Sequence, residues 1–160
     1  MEPAFYEREY LIIDELTYRF REPQRGEVVV IRAPVLEKDF YLKRIIGLPG
    51  ERVKIQDNKV IIYNEEFPLG KVIDEQYITE ETPGSLSVTL GPTQYYVLGD
   101  NRDSSFDSRR FGPIQRQDII GRTWLRGWPI TRVGLLAPPA YNFWFVFTFV
   151  FYAQEKKTGK

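Results

Sequence analysis

A chain of 160 residues, 42% hydrophobic and 28% charged, is long enough to bury one core and is neither a disordered tail nor a membrane bundle. It contains no histidine and no cysteine, which excludes a Ser-His-Asp triad, a thiol nucleophile, a disulfide framework and an ordinary zinc or copper site. Its 22 Lys and Arg balance 22 Asp and Glu, so no basic excess recommends nucleic acid as a partner, and little general attraction draws the chain to an anionic membrane.

The opening, Met1 to Tyr10, is polar and domain-like, with no leader or spanning segment in it. From there the chain reads as short strands between Gly and Pro punctuation, which predicts a mainly β domain. Tyr10 to Asp14 is a short apolar run, and Glu27 to Arg32 is a Val-rich strand that follows Gly26 and ends before Pro34. Phe40 to Ile46 is β-branched and aromatic, and Gly47, Pro49 and Gly50 stop it. Arg52 to Tyr63 is the clearest hairpin, turning at Asp57-Asn58. Ser85 to Leu90, Tyr95 to Leu98 and Ile119 to Leu125 are further strands, and Arg116 to Ile120 has room for one helical turn. No linker divides the chain into two independent cores.

The last residues depart from this pattern. Phe occupies every second position from Phe143 to Phe151, with Trp144, Val146, Thr148, Val150 and Tyr152 between and after them. Strict alternation suits a strand, yet both faces are apolar. As a helix the run would rise only about 15 Å, roughly half a bilayer core, which is too short to span. A membrane-dipping or partner-packing segment, a covered strand and an out-of-frame tail all remain open readings for 137–160.

With histidine and cysteine absent, acid–base chemistry falls to Asp, Glu, Lys or Tyr. In a strand, Lys43 shares a face with Tyr41 and Ile45, while Arg44 shares the other with Leu42 and Ile46. An arbitrary strand lysine snorkels out to water. A lysine desolvated by aromatic and branched neighbours instead loses its proton more readily and becomes a general base. The second informative segment is Gly99 to Gly112. As a solvated loop it is rich in turn formers. As a calcium loop it fails, because the third position from Asp100 is Arg102 and the twelfth is Phe111. Asp100, Asp103 and Asp107 alternate with Arg102, Arg109 and Arg110, so the loop is expected to brace itself by Arg–carboxylate pairs.

Lys43-Arg44-Ile45-Ile46-Gly47-Leu48-Pro49-Gly50-Glu51 together with Gly99 to Gly112 resembles the bacterial type I signal peptidases, the serine–lysine leader peptidases. Tyr10 to Asp14, Tyr18 to Pro23 and Arg25 to Val30 add to the likeness, which covers Met1 to about Leu136 in order. The resemblance implies a signal-peptidase-like β domain of short antiparallel strands with little helix over 1–136. It implies Lys43 as general base and Ser105 as the hydroxyl that orients it. Asp107 and Arg109 match the family's ion pair behind the site, Asp100 and Arg102 match structural positions, and Arg44 supports the strand. Met1, Phe5, Tyr41 and Leu42 fall where the family builds shallow pockets for small side chains. No cofactor and no metal are expected.

In the family the nucleophilic serine immediately precedes a Met-x-Pro sequence, and here Met1-Glu2-Pro3 opens the chain. The expectation is a truncation just after that serine, which also removes the upstream membrane anchor. Nothing in the spacing of Ser85, Ser87, Ser104 or Ser108 recommends a replacement. The function implied is removal of signal peptides from exported preproteins by a Ser-Lys dyad, with the parent anchored in the cytoplasmic membrane and its site on the extracytoplasmic side. A catalytically dead peptide-binding module and a related maturation peptidase are the alternatives.

Overall fold

Short β-branched and aromatic runs separated by Gly and Pro form strands, because branched side chains pack well on a pleated surface and the stops prevent longer elements. In the computed structural model, which describes residues 1–6, 8–32, 34, 39–139 and 141, these strands are β1 (Tyr10–Asp14), β2 (Val28–Arg32), β3 (Phe40–Gly47), β4 (Arg52–Gln56), β5 (Lys59–Tyr63), β6 (Lys71–Val72), β7 (Leu86–Thr89), β8 (Gln94–Leu98), β9 (Ile114–Gln115), β10 (Ile119–Trp128) and β11 (Gly134–Leu135). The helical content among these residues is one turn of α-helix, α1 (Ser108–Phe111), and single 3-10 turns at Thr17–Arg19, Arg116–Asp118 and Ile130–Arg132.

Two antiparallel sheets result. The larger runs β1-β10-β2-β3-β8-β9, with β11 paired to β10, and the smaller runs β6-β5-β4-β7. The Asp57-Asn58 turn joins β4 to β5 in register from Gln56↔Lys59 to Arg52↔Tyr63. Both turn residues sit at positive φ, 50° and 60°, the left-handed geometry that matches strand twist and that short polar side chains tolerate.

Strands β3 and β8 lie at the centre and feed two cores by simple alternation. Ile46, Tyr96 and Leu98 pack with Val53, Ile55, Val60 and Ile62 of the smaller sheet. Their neighbours Ile45, Tyr95 and Val97 pack with Val29, Ile31, Ile114, Ile119 and Tyr18. Two hydrophobic clusters therefore share one pair of strands, and full burial of each aliphatic side chain contributes about 1.5–3 kcal/mol. At Gly47 the smaller sheet packs tightly against β3. A Cβ there would run into Val53 and would stand 2.8 Å from Leu90 Cδ1 and 3.0 Å from Tyr96 Cβ.

The structure amends the sequence reading in detail. Glu27 precedes β2 and uses its carboxylate to accept from Tyr18 Oη (2.9 Å) and from the Gln24 amide (2.8 Å). Strand β10 extends past Leu125 to Trp128 because its far half pairs with β1. Strands β6, β9 and β11 are two residues each, too short to register as periodicity. The expected turn at Arg116 to Ile120 is a 3-10 turn over Arg116–Asp118, with Asp118 Oδ2 accepting from the Gln115 amide (2.8 Å). The aromatic run 143–152 lies outside the described residues.

Candidate active site

Lys43 sits in the middle of β3, opposite Val29 of β2. Its side chain is half-buried, its Nζ lies 5.5 Å from the centre of the Tyr41 ring, and it makes no hydrogen bond or ion pair with a described residue. Tyr41 meets Phe106 edge-on at 6.3 Å, and Phe106 meets Phe111 at 5.5 Å. Tyr41, the strand neighbour on the same face, is thus the aromatic ring beside the amine. Burial pushes the Lys43 ammonium below its ordinary value of 10.5, with Arg109 acting in the same direction against the opposing pull of Asp107 and Asp100.

The Gly99–Gly112 loop closes over this lysine at Gly99. A Cβ on Gly99 would collide with Ser105 Oγ, would stand 2.6 Å from Ser105 Cβ and would lie 3.6 Å from Lys43 Nζ. Only glycine lets the Ser105 hydroxyl and the Lys43 amine converge there. Ser105 Oγ is buried and forms no hydrogen bond with a described residue, although its hydroxyl lies near enough to Asp107 to help hold that carboxyl low. The sequence-implied pairing of Ser105 with Lys43 is thus a proximity, without a hydrogen bond between them.

Ion pairs fix the loop from several sides. Asp107 is fully buried, accepts from the Gly99 amide (3.1 Å) and from Arg109 Nε and Nη2 (both 2.9 Å), and caps α1. Burial alone would raise its carboxyl, but the hydrogen bonds from Arg109 and Gly99 prevail and hold it below 3.8. Arg109 Nη2 also donates to the Arg102 carbonyl (2.6 Å). Asp100 receives a bidentate pair from Arg44, 2.9 Å at Nε and 2.6 Å at Nη2. Arg44 donates as well to the Gly26 carbonyl (2.8 Å) and stacks on Tyr77, 4.0 Å from the ring centre.

The self-bracing loop expected from the sequence is therefore only partly realised. Asp107–Arg109 is internal, whereas Asp100 pairs with Arg44 on β3 and Arg102 pairs with Glu75. Asp103 and Arg110 are exposed. Sequence reading missed Glu75, Tyr77 and Thr82 altogether. Glu75 and Thr82 lie 27 and 20 residues from Arg102 in the chain, and no local pattern signals a buried long-range pair.

The residues expected to line the substrate side divide. Met1 lies at the site: its amino group is pushed below its ordinary 8.0 by burial and by the nearby Lys43 charge, and its Sδ is 3.5 Å from the Asp100 amide. Tyr41 borders Lys43. Phe5 is buried, with its amide donating to the Met1 carbonyl (2.9 Å) and its ring under Arg126 at 5.2 Å. Leu42 alternates to the opposite side of β3 from Lys43. Of the other serines, Ser85, Ser87 and Ser104 are exposed, and Ser108 Oγ is buried accepting from the Val97 amide (3.0 Å).

Residues 1–128 match the family described as "Signal peptidase, peptidase S26". The chain is 40% identical over 146 residues to a probable signal peptidase I-2 from Synechocystis sp., covering 88% of this chain and 64% of that protein. It is 31% identical over 132 residues to signal peptidase I V of Bacillus subtilis, covering 76% of each. A crystal structure of a signal peptidase I from Enterococcus faecalis aligns with a TM-score of 0.55 and 28% identity, over 64% of this chain and 97% of that one. The chain thus spans just under two thirds of the length of the Synechocystis relative.

Proposed function

The chain belongs to the signal peptidase family, peptidase S26, and on that premise we propose that it forms the base-bearing part of an endopeptidase that removes signal peptides from exported preproteins. The observation that carries this reading is the desolvated Lys43 amine, without an ion-pair partner among the described residues, converging with Ser105 on Gly99 near the amino group of Met1. A residue placed before Met1 would enter next to that amine, which is where the family resemblance puts the nucleophilic serine.

In the proposed reaction, neutral Lys43 takes the proton from the serine hydroxyl as its oxygen attacks the scissile carbonyl. The resulting ammonium returns the proton to the departing amine as the C–N bond breaks. Lys43 then takes a proton from a water as its oxygen attacks the acyl ester. The ammonium gives that proton to the departing serine oxygen as the ester C–O bond breaks, releasing the carboxylic acid and regenerating both the serine and the neutral amine. Ser105 limits the positions open to the amine, and Asp107 with Arg109 holds the loop that carries it. The reading places the enzyme at the extracytoplasmic face of the cytoplasmic membrane. None of the described helices is long and apolar enough to cross a membrane.

The test is cleavage of a preprotein by a chain extended upstream with Ser directly before Met1, compared with the 160-residue chain and with Lys43→Ala in the extended chain. The extended chain is expected to cleave at the signal-peptide junction and the other two are not. Wild-type turnover in Lys43→Ala would remove Lys43 as the base. Serine-dependent turnover by the unextended chain would place the nucleophile elsewhere, and binding without cleavage in all three would favour a peptide-binding module.

A further inference from the structure

The smaller sheet contributes none of the reacting groups named above, yet the segment after β6 reaches into the site. Arg102 is 1% exposed, and every direction its guanidinium faces is occupied. Its Nε donates to the Gly99 carbonyl (2.9 Å). Its Nη atoms grip Glu75 at 2.9 Å and 2.5 Å, and Nη1 also donates to the Thr82 hydroxyl. Glu75 is held in turn by the Tyr77 hydroxyl (2.7 Å), which itself accepts from Tyr141 Oη (3.1 Å). The segment is tied to the β4–β5 hairpin at both ends, by the Ile73 amide to the Val60 carbonyl (3.0 Å) and the Thr82 amide to the Asn58 carbonyl (3.1 Å).

Gly99 is consequently held on both sides of its backbone, its amide by Asp107 and its carbonyl by Arg102. It is also the residue against which Ser105 and Lys43 pack. We propose that Glu75 is a positioning residue for the Lys43 site, acting through Arg102 on the Gly99 carbonyl, with Thr82 and Tyr77 holding the strut in place. The smaller sheet is thereby the abutment that keeps the catalytic loop closed over the lysine. This inference rests on the proposed role of Lys43, though its test does not require proteolysis.

A buried carboxylate that neutralises an arginine could act on the lysine by charge or by geometry. Geometry is the stronger term here. The charges found acting on Lys43 are those of Asp107, Asp100 and Arg109, with the Met1 amino group also close by; neither Glu75 nor Arg102 is among them. Freeing Arg102 therefore affects the lysine chiefly by releasing Gly99, which admits water to the amine and relieves its desolvation.

The experiment is an NMR titration of lysine Cε resonances in the 160-residue chain, with the Lys43 signal assigned by its absence in Lys43→Arg. In the unsubstituted chain the Lys43 midpoint is expected below 10.5, because burial disfavours the ammonium. In Glu75→Gln it is expected to move upward toward that ordinary value, with Glu75→Asp intermediate and the other lysines unmoved. An unchanged Lys43 midpoint in a folded Glu75→Gln protein overturns the proposal. Where Glu75→Gln does not fold, Thr82→Val carries the test, because it removes one Arg102 partner and leaves both charges in place; an upward shift supports the strut and no shift refutes it. Assaying the extended chain in parallel separates the two readings. An upward shift without cleavage in any chain keeps the strut and sinks the peptidase. Cleavage that depends on Lys43 but is indifferent to Glu75→Gln, with no shift, keeps the peptidase and sinks the strut.

Discussion

Removing one partner of the Arg44–Asp100 pair tests whether β3, the strand that carries Lys43, is anchored by charge. Arg44 is 5% exposed and Asp100 is 1% exposed, so neither ion has water to fall back on. Asp100→Ala leaves the Arg44 guanidinium with the Gly26 carbonyl and the Tyr77 face as its remaining partners. Breaking a buried pair in this way costs about 3–5 kcal/mol, because the surviving charge stays buried without compensation. For a domain of this size each kcal/mol moves the melting point by about 2–4 °C, so a fall of roughly 6–20 °C is expected by thermal denaturation followed in the far-ultraviolet. Replacing both ions, Arg44→Met with Asp100→Leu, is expected to recover most of that loss, since no orphan charge remains. The single variant has a second signature. Asp100 favours the charged form of Lys43, so its removal lowers the Lys43 midpoint further. A single variant that melts within about 2 °C of the parent, or a double variant no better than the single, would refute the reasoning, as the loss would then not come from an uncompensated charge.

The remaining predictions concern the site and its response to pH. Turnover by the serine-extended chain is expected to rise with pH through a midpoint below 10.5, because the neutral Lys43 amine is the working form and burial lowers its proton affinity; a rate that falls across that limb contradicts a basic role. Asp107 is held below 3.8, and a carboxyl with a depressed folded value stabilises the fold above the unfolded value and loses that contribution as pH falls through the folded one. Asp107→Asn should therefore lower stability at neutral pH and flatten the loss of stability below about pH 4, read from urea midpoints across the acid range. Gly99→Ala should cost about 1–3 kcal/mol and abolish turnover, because its methyl occupies the space of Ser105 Oγ; an active, fully stable variant would show that the loop has room to move.

Much of the frame was legible in the sequence because it depends on local chemistry. The Asp57-Asn58 turn, the β-branched runs and the Gly and Pro stops act over a few residues, and their strands fall within a residue or two of expectation, apart from the far end of β10. Lys43 stood out because two zeros in the composition left few bases, and because Tyr41 and Ile45 share its face. The two-residue strands escaped notice, since pairing that short is decided by what lies alongside.

The charges of the Gly99–Gly112 loop show where sequence reading stops. Aspartates and arginines alternating over 11 residues looked like a loop that braces itself, and only Asp107–Arg109 does so. Asp100 instead turns to Arg44 and Arg102 to Glu75. A charged side chain that leaves water must find whichever opposite charge the packed strands bring within reach, however far away it lies in the chain. The sequence thus determined the strand frame, the candidate base and the absence of histidine and thiol chemistry. The tertiary structure decided which ions hold that base in place, because burial and partnership exist only once the two sheets have closed around β3 and β8.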